Sequence, residues 1–328
     1  MKRFVLVLLL FQSFVLFAEE NQAVLRELRR YGGSATFNLT VKDERGEPVP
    51  EAKGEAWFWY RNDATRDEAY TDSEGKISLS NRAKTDGGVR ITKEGYYTTE
   101  IHQSCFSAPS QPFSFWERRK WVPVTRDVVL KTKVNPIPMY SKRYRGKISH
   151  LNQPVGFDLK VVDWVHPDGK GEVADVYITV ETEVVPFGKI MQKRARTVTW
   201  EWPNRYDGVQ VCDADRWSKL ISTYQVNLQQ PFMQKLVLTR GQDRYAWLDH
   251  GKYLTFRTRS QTSPTGELAY CHYGKIYPSF DIAYDEVALR LVFFNPTPND
   301  TNLEFDPKHN LSPFSCYQEE TMLNRGCP

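Results

Sequence analysis

Phe37-Asn38-Leu39-Thr40-Val41-Lys42, closed by Asp43-Glu44-Arg45-Gly46, is the stretch on which the fold turns. Phe37, Leu39 and Val41 alternate with polar neighbours, the two-residue period that gives a strand one apolar and one polar face. Asp and Gly then supply turn chemistry. The pattern repeats outward along the chain: residues 53–60, a turn at Thr71-Asp72-Ser73-Glu74-Gly75, Ile77 and Leu79, residues 89–92, a Glu94-Gly95 turn, residues 96–101, and a last run at 126–133. Short strands separated by such turns predict an all-β sandwich. Between the last two runs, residues 105–123 carry Phe106, Phe113, Phe115, Trp116 and Trp121. That aromatic excursion is expected to pack onto the sandwich, because a free loop of this composition exposes a large apolar patch.

Three ordered motifs add a family. Asp43, Gly46, Pro48 and Val49, then Thr71, Asp72 and Gly75, then Lys93, Gly95 and Tyr96 resemble the carboxypeptidase regulatory-like modules. The resemblance implies a transthyretin-like (prealbumin-like) sandwich over residues 34–133. It also implies an accessory module with no active site of its own. The chain departs from the family at Gly54, where a β-branched residue is common, and in the long excursion.

Upstream, Lys2 and Arg3 precede an apolar block and the small residue Ala18, the order of a signal peptide over residues 1–18. The block is interrupted by Gln12 and is shorter than a membrane span needs, so a retained anchor is the weaker reading. Residues 19–33 form a leader or brief helix ending in Gly32-Gly33. Downstream, Asn135-Pro136-Ile137-Pro138 stops the last strand, and residues 134–150 make a Pro-rich and basic linker.

Residues 151–328 are expected to form a second β-rich domain, a sandwich or jelly roll. Its clearest strand runs are 173–185, 197–202, 235–239, 253–259, 268–276 and 287–294, with one plausible helix at 212–225. Gly156-Phe157-Asp158-Leu159, Asp163-Trp164-Val165 and Asn295-Pro296-Thr297-Pro298 resemble uncharacterised secreted bacterial proteins, a likeness that carries no known chemistry.

Charge narrows the partners. The chain holds 44 basic and 40 acidic residues, and removing Lys2 and Arg3 leaves 42 against 40. A net charge that small argues against nucleic acid. Five cysteines, none in a CxxC pair, leave at least one unpaired in an oxidising compartment; Cys316 and Cys327 are close enough to staple the C-terminus.

No Gly-Lys pair has the upstream glycine of a phosphate loop, and Gly169-x-Gly171-x-x-Ala174 lacks the strand and helix of a dinucleotide site. The six histidines give no metal spacing; Asp249-His250 is the pair nearest to catalytic chemistry, and a turn before the strand at Tyr253 is the favoured reading of it. Asn295, Asn299, Asp300, Asn302 and Asp306 offer the hard oxygens that calcium prefers, or cap their own turns.

Aromatic residues are more informative. On the strand from Lys53, alternation places Gly54, Ala56, Phe58 and Tyr60 on one face and Lys53, Glu55, Trp57 and Trp59 on the other. If the charged face looks outward, Trp57 and Trp59 form a platform for sugars or a partner; cover by the excursion or the second domain is the favoured alternative. Trp200 and Trp202 repeat the spacing. The expectation is a non-enzymatic secreted or periplasmic protein for binding or assembly, with a glycan or another envelope protein as its candidate partner and no cofactor beyond calcium. The rivals are a hydrolase using acids such as Asp163, Asp249 and Asp281 in the second domain, and a structural envelope subunit.

Overall fold

The computed structural model describes residues 24–107, 119–187, 191–215, 217–240, 251–283 and 286–312. The chain divides into two compact units, Met1–Lys133 with Trp217–Lys219, and Val134–Arg216 with Leu220–Pro328. Both are built almost wholly from strands. Among the described residues no helix is long and apolar enough to cross a membrane.

In the first unit, β1 (Gly33–Asp43), β4 (Lys76–Ala83) and β7 (Val124–Leu130) form a sheet in the order β4-β1-β7. The facing sheet runs β3-β2-β5-β6, from β2 (Lys53–Tyr60), β3 (Asp63–Tyr70), β5 (Gly87–Thr92) and β6 (Thr99–Gln103). Alternation sets both inner faces: Ala35, Phe37, Leu39 and Val41 of β1 are buried against Ala56 and Phe58 of β2, with Leu79, Val89, Ile91 and Leu130 completing the core. A short helix over 24–31 adds Val24 and Leu28 to it.

The turn residues act through specific hydrogen bonds. Asp43 Oδ1 accepts from the amides of Arg45 and Glu47 at 2.8 and 2.9 Å. Asp72 Oδ1 does the same for Glu74 and Lys76 at 2.9 and 2.8 Å. The Thr71 hydroxyl is buried; it donates to the Val49 carbonyl at 2.7 Å and accepts from the Ala52 amide at 2.8 Å, tying the two turn regions together.

Both described ends of the aromatic excursion seal this core. The Phe106 ring lies 5.7 Å from Phe37 and 6.3 Å from Phe58, and Trp121 Nε1 donates to the Ala83 carbonyl at 3.0 Å. Phe113, Phe115 and Trp116 lie outside the described residues.

The second unit is a sandwich of two five-stranded sheets, every pairing antiparallel. One sheet runs β10-β9-β11-β12-β14, from β9 (Val155–Asp158), β10 (Asp163–Trp164), β11 (Val176–Phe187), β12 (Met191–Glu201) and β14 (Lys235–Arg240). The other runs β13-β15-β16-β17-β8, from β8 (Tyr140–Lys147), β13 (Gly208–Asp213), β15 (Lys252–Thr262), β16 (Leu268–Ala283) and β17 (Glu286–Phe294). Phe157, Trp164, Ile178, Val198 and Trp200 from the first sheet meet Leu254, Phe256, Ile276, Val292 and Phe294 from the second. The second sheet is covered on its other face too, where Tyr253, Tyr277, Leu291 and Phe293 pack with Met139 and Phe305.

Two sequence expectations are corrected here. The basic stretch expected as linker is β8, held by antiparallel pairing to β17. The helix expected at 212–225 is absent from its described residues: β13 runs into Asp213 and an irregular segment follows.

Candidate functional site

The charged face of β2 does look outward, and it builds the candidate site of the first unit. Strand registry lines up Arg66, Trp57, Gly88 and His102 as one rung across β3, β2, β5 and β6. The next rung is Glu68, Glu55, Arg90 and Glu100. Trp57 is half-buried, its indole occupying the space beside Gly88: a β-carbon there would sit 2.2 Å from Trp57 Cζ2. Its other flank meets the His102 ring at 6.4 Å between centroids. Trp59, one pleat further along, is 43 % exposed, and its backbone is pinned by bonds to Asp86 and Lys84.

Charges on this face pair with one another. Lys53 Nζ reaches Glu55 at 2.9 Å and Glu68 at 3.0 Å, and those hydrogen bonds, Glu55 first, raise its pKa. Arg90 Nε donates to Glu100 at 2.8 Å, and Lys219 Nζ stands 3.6 Å from the same carboxylate. Lys219 is there because Trp217–Lys219 lies along β6, the Glu100 amide donating to the Trp217 carbonyl at 2.8 Å. The result is a partly open aromatic surface bordered by paired charges and by Arg66, suited to stacking on an amphipathic partner.

Trp200 and Trp202 are corrected as platform residues. Both are buried in the core of the second unit, ring centroids 6.1 Å apart, Trp200 on the face of β12 that also carries Val198 and Trp202 just beyond its end. They build the core rather than an open surface.

The asparagine and aspartate cluster caps turns. Asn295 Oδ1 accepts from the Thr297 amide at 2.9 Å, and Asn299 Oδ1 from the Cys271 amide at 3.0 Å. Asp300 Oδ1 accepts from the Asn302 amide at 3.0 Å, and Asn302 Oδ1 from Glu304 at 2.8 Å. Asp306 accepts from the Lys308 amide at 2.9 Å and pairs with His309 at 2.6 Å. Among the described residues no group of three or more His, Cys, Asp or Glu side chains is placed to hold a metal ion.

One constellation was not legible beforehand. Asp158 at the end of β9 and Asp175 before β11 are both buried, and Arg259 of β15 reaches them from the opposite sheet. Its Nη2 lies 2.9 Å from Asp158 Oδ1 and 3.0 Å from Asp175 Oδ2; its Nε lies 2.9 Å from Asp175 Oδ1. Asp158 also accepts from the amides of Lys160, Val161, Glu172 and Val173, and Asp175 from Leu159 and the Thr258 hydroxyl. Burial pushes Asp175 up, against the pull of Arg259. With these oxygens occupied, the arrangement is a brace between sheets. Nearby, His272 donates or accepts on both ring nitrogens, to the Asn295 carbonyl at 3.1 Å and the Tyr270 hydroxyl at 2.8 Å, and burial lowers its pKa. The neutral Nδ1–H tautomer satisfies both bonds.

Asp163 is spent on its own turn, accepting from Trp164 and Lys170. Asp249, His250 and the Asp281 side chain lie outside the described residues, as do Cys316 and Cys327. Cys105, Cys212 and Cys271 carry free thiols.

No family model and no curated protein matches the chain. Similar solved structures include 3-chlorocatechol 1,2-dioxygenase from Rhodococcus opacus 1CP, with 13 % identity over 31 % of this chain and 60 % of that one, at a TM-score of 0.26. The chain thus spans less than two thirds of that enzyme. A putative carbohydrate binding protein from Bacteroides uniformis ATCC 8492 aligns at 12 % identity over 80 % of this chain and 99 % of that one, TM-score 0.18. The major pilin subunit of Bacillus cereus aligns at 10 % identity over 78 % and 95 %, TM-score 0.22. At such TM-scores none of these likenesses bears on function.

Proposed function

We propose that this chain is a non-enzymatic protein of the secreted or periplasmic space. Its first unit is a carboxypeptidase regulatory-like module that binds glycan on the outward face of β2 and β5. One observation carries the reading: Trp59 is 43 % exposed beside the half-buried ring of Trp57, on a face where Lys53, Glu55, Glu68, Arg90 and Glu100 are already paired. An exposed indole beside a half-buried one is unfavourable in water and suits the apolar face of a sugar ring. The three turn motifs support the family, and residues 1–18 support export. The occupied oxygens of Asp158 and Asp175 speak against a pair of catalytic acids there.

A glycan array probed with the mature protein tests this. Retention on a glycan that is lost in the Trp57→Ala, Trp59→Ala variant supports the proposal. Equal retention by the variant, or none by the parent, overturns it.

A further inference from the structure

Among the described residues of the tryptophan face, three cations, Lys53, Arg90 and Lys219, meet three carboxylates, Glu55, Glu68 and Glu100. Arg66 stands outside that set. It is exposed, lies directly across from Trp57 in the register of β2 and β3, and pairs with no described carboxylate. Residues opposed in this way share a face, with β-carbons about 5 Å apart, so the Arg66 side chain rises beside the Trp57 ring. Two residues along, Trp59 stands opposite Ala64, whose methyl leaves the ground beside the exposed indole clear.

Arg66 springs from a fixed backbone. Its carbonyl accepts from Asn81 Nδ2 at 2.6 Å; on either side of it, the Thr65 hydroxyl donates to the Arg82 carbonyl at 2.8 Å and Asp67 Oδ2 accepts from the Ser80 amide at 2.7 Å. Three consecutive residues thus tie β3 to β4, and the cation is presented from a braced edge. On the β5 side of Trp59, the Asp86 carbonyl accepts from the Trp59 amide at 2.9 Å, and the Asp86 carboxylate accepts from the Thr85 hydroxyl. The exposed indole is therefore bordered by a guanidinium on one side and by a carboxylate on the other.

Each of the three groups selects part of a ligand. An indole takes the apolar face of a pyranose, and a carboxylate accepts from sugar hydroxyls. A guanidinium meets a planar carboxylate with two parallel N–H···O bonds. A neutral sugar engages the first two and gives Arg66 no opposite charge, whereas a uronic acid engages all three. Building on the glycan reading above, we infer that Arg66 makes this face selective for uronic-acid sugars, its guanidinium taking the carboxylate of the sugar stacked on Trp59.

The mature protein is applied to an array of galacturonate, guluronate, mannuronate and glucuronate oligosaccharides, each beside its carboxyl-reduced neutral form. At least one acid form is retained about tenfold more tightly than its neutral partner, and the preference shrinks as salt rises. Arg66→Gln brings the acid form down to the neutral one. Arg66→Lys keeps part of the preference, because the charge stays and the fork is lost. Arg45→Gln removes the same charge from the exposed turn after β1 and keeps all of it, which separates local recognition from net charge. Neutral forms retained as tightly as the acids, or a preference that survives Arg66→Gln, overturns the inference and leaves the glycan reading standing. Retention of no glycan of either kind, or acid binding that survives Trp57→Ala with Trp59→Ala, overturns both.

Discussion

The Trp57 indole occupies the space that a side chain at position 88 would need, with a β-carbon on Gly88 falling 2.2 Å from Trp57 Cζ2 and 2.6 Å from the Ile101 carbonyl oxygen. Trp57 is thereby held against the sheet while Trp59 stays open. Gly88→Ala forces the indole off the sheet, because the backbone carbonyl on the other side cannot yield. The expected result is a loss of about 1–3 kcal/mol in stability by urea denaturation. Retention on the glycan identified by array falls with it, whereas Ala64→Gly, on the strand opposite Trp59, leaves both nearly unchanged.

Arg259 joins two buried carboxylates across the second sandwich. Arg259→Met keeps much of the volume and removes the only guanidinium between them, leaving Asp158 and Asp175 uncompensated. A loss of about 3–5 kcal/mol is expected. The exposed pair between Lys235 and Glu201 provides the contrast: Lys235→Ala should shift the denaturation midpoint little.

Asp207 supplies the pH dependence. Burial pushes its carboxyl above the usual range, opposed by the hydrogen bond from the Ser260 amide, 3.0 Å from Oδ1. A raised folded pKa means that the folded state holds the proton more tightly than the unfolded chain, so this group's contribution is full below pH 3.8 and is lost as pH rises through the folded value. Asp207→Asn keeps the acceptor and removes the charge. The melting temperature of the variant should gain on the parent as pH rises from 4 toward 7, and a constant difference would contradict the assignment.

How far these features were legible depends on what each side chain announces locally. β1 and β2 alternate sharply, and Lys53 and Glu55 mark the outward phase that Trp57 and Trp59 share. The same test distinguishes β12: Trp200 shares its face with Val198, an apolar companion that points inward, so equal spacing led to opposite environments. β3 escaped notice because Asp63–Tyr70 is an edge strand with no buried residue and hence no apolar period. β8 is an edge strand too, and its arginines hid the inward phase of Tyr140 and Tyr144. The Arg259 brace had no signal at all, since its partners come from other strands and only the sheet topology brings them together.

The core explains Gly54, the position where the modules this chain resembles commonly carry a β-branched residue. A β-carbon there would lie 2.6 Å from Ile77 Cδ1, 3.1 Å from Leu79 Cδ1 and 3.3 Å from Ile91 Cδ1. Three long side chains from β4 and β5 therefore fill the volume that a branched residue on β2 would use. Gly54→Val should cost about 1–3 kcal/mol through overpacking, despite the better strand propensity of valine. Ile77→Ala alone should cost about 2–5 kcal/mol by opening a cavity. Combined, the two changes should be less destabilising than their sum, because the valine enters the space the isoleucine leaves and contacting residues are not additive. Strict additivity in a double-mutant cycle would mean that the clash is relieved elsewhere, and that Gly54 is not tied to the bulk of Ile77.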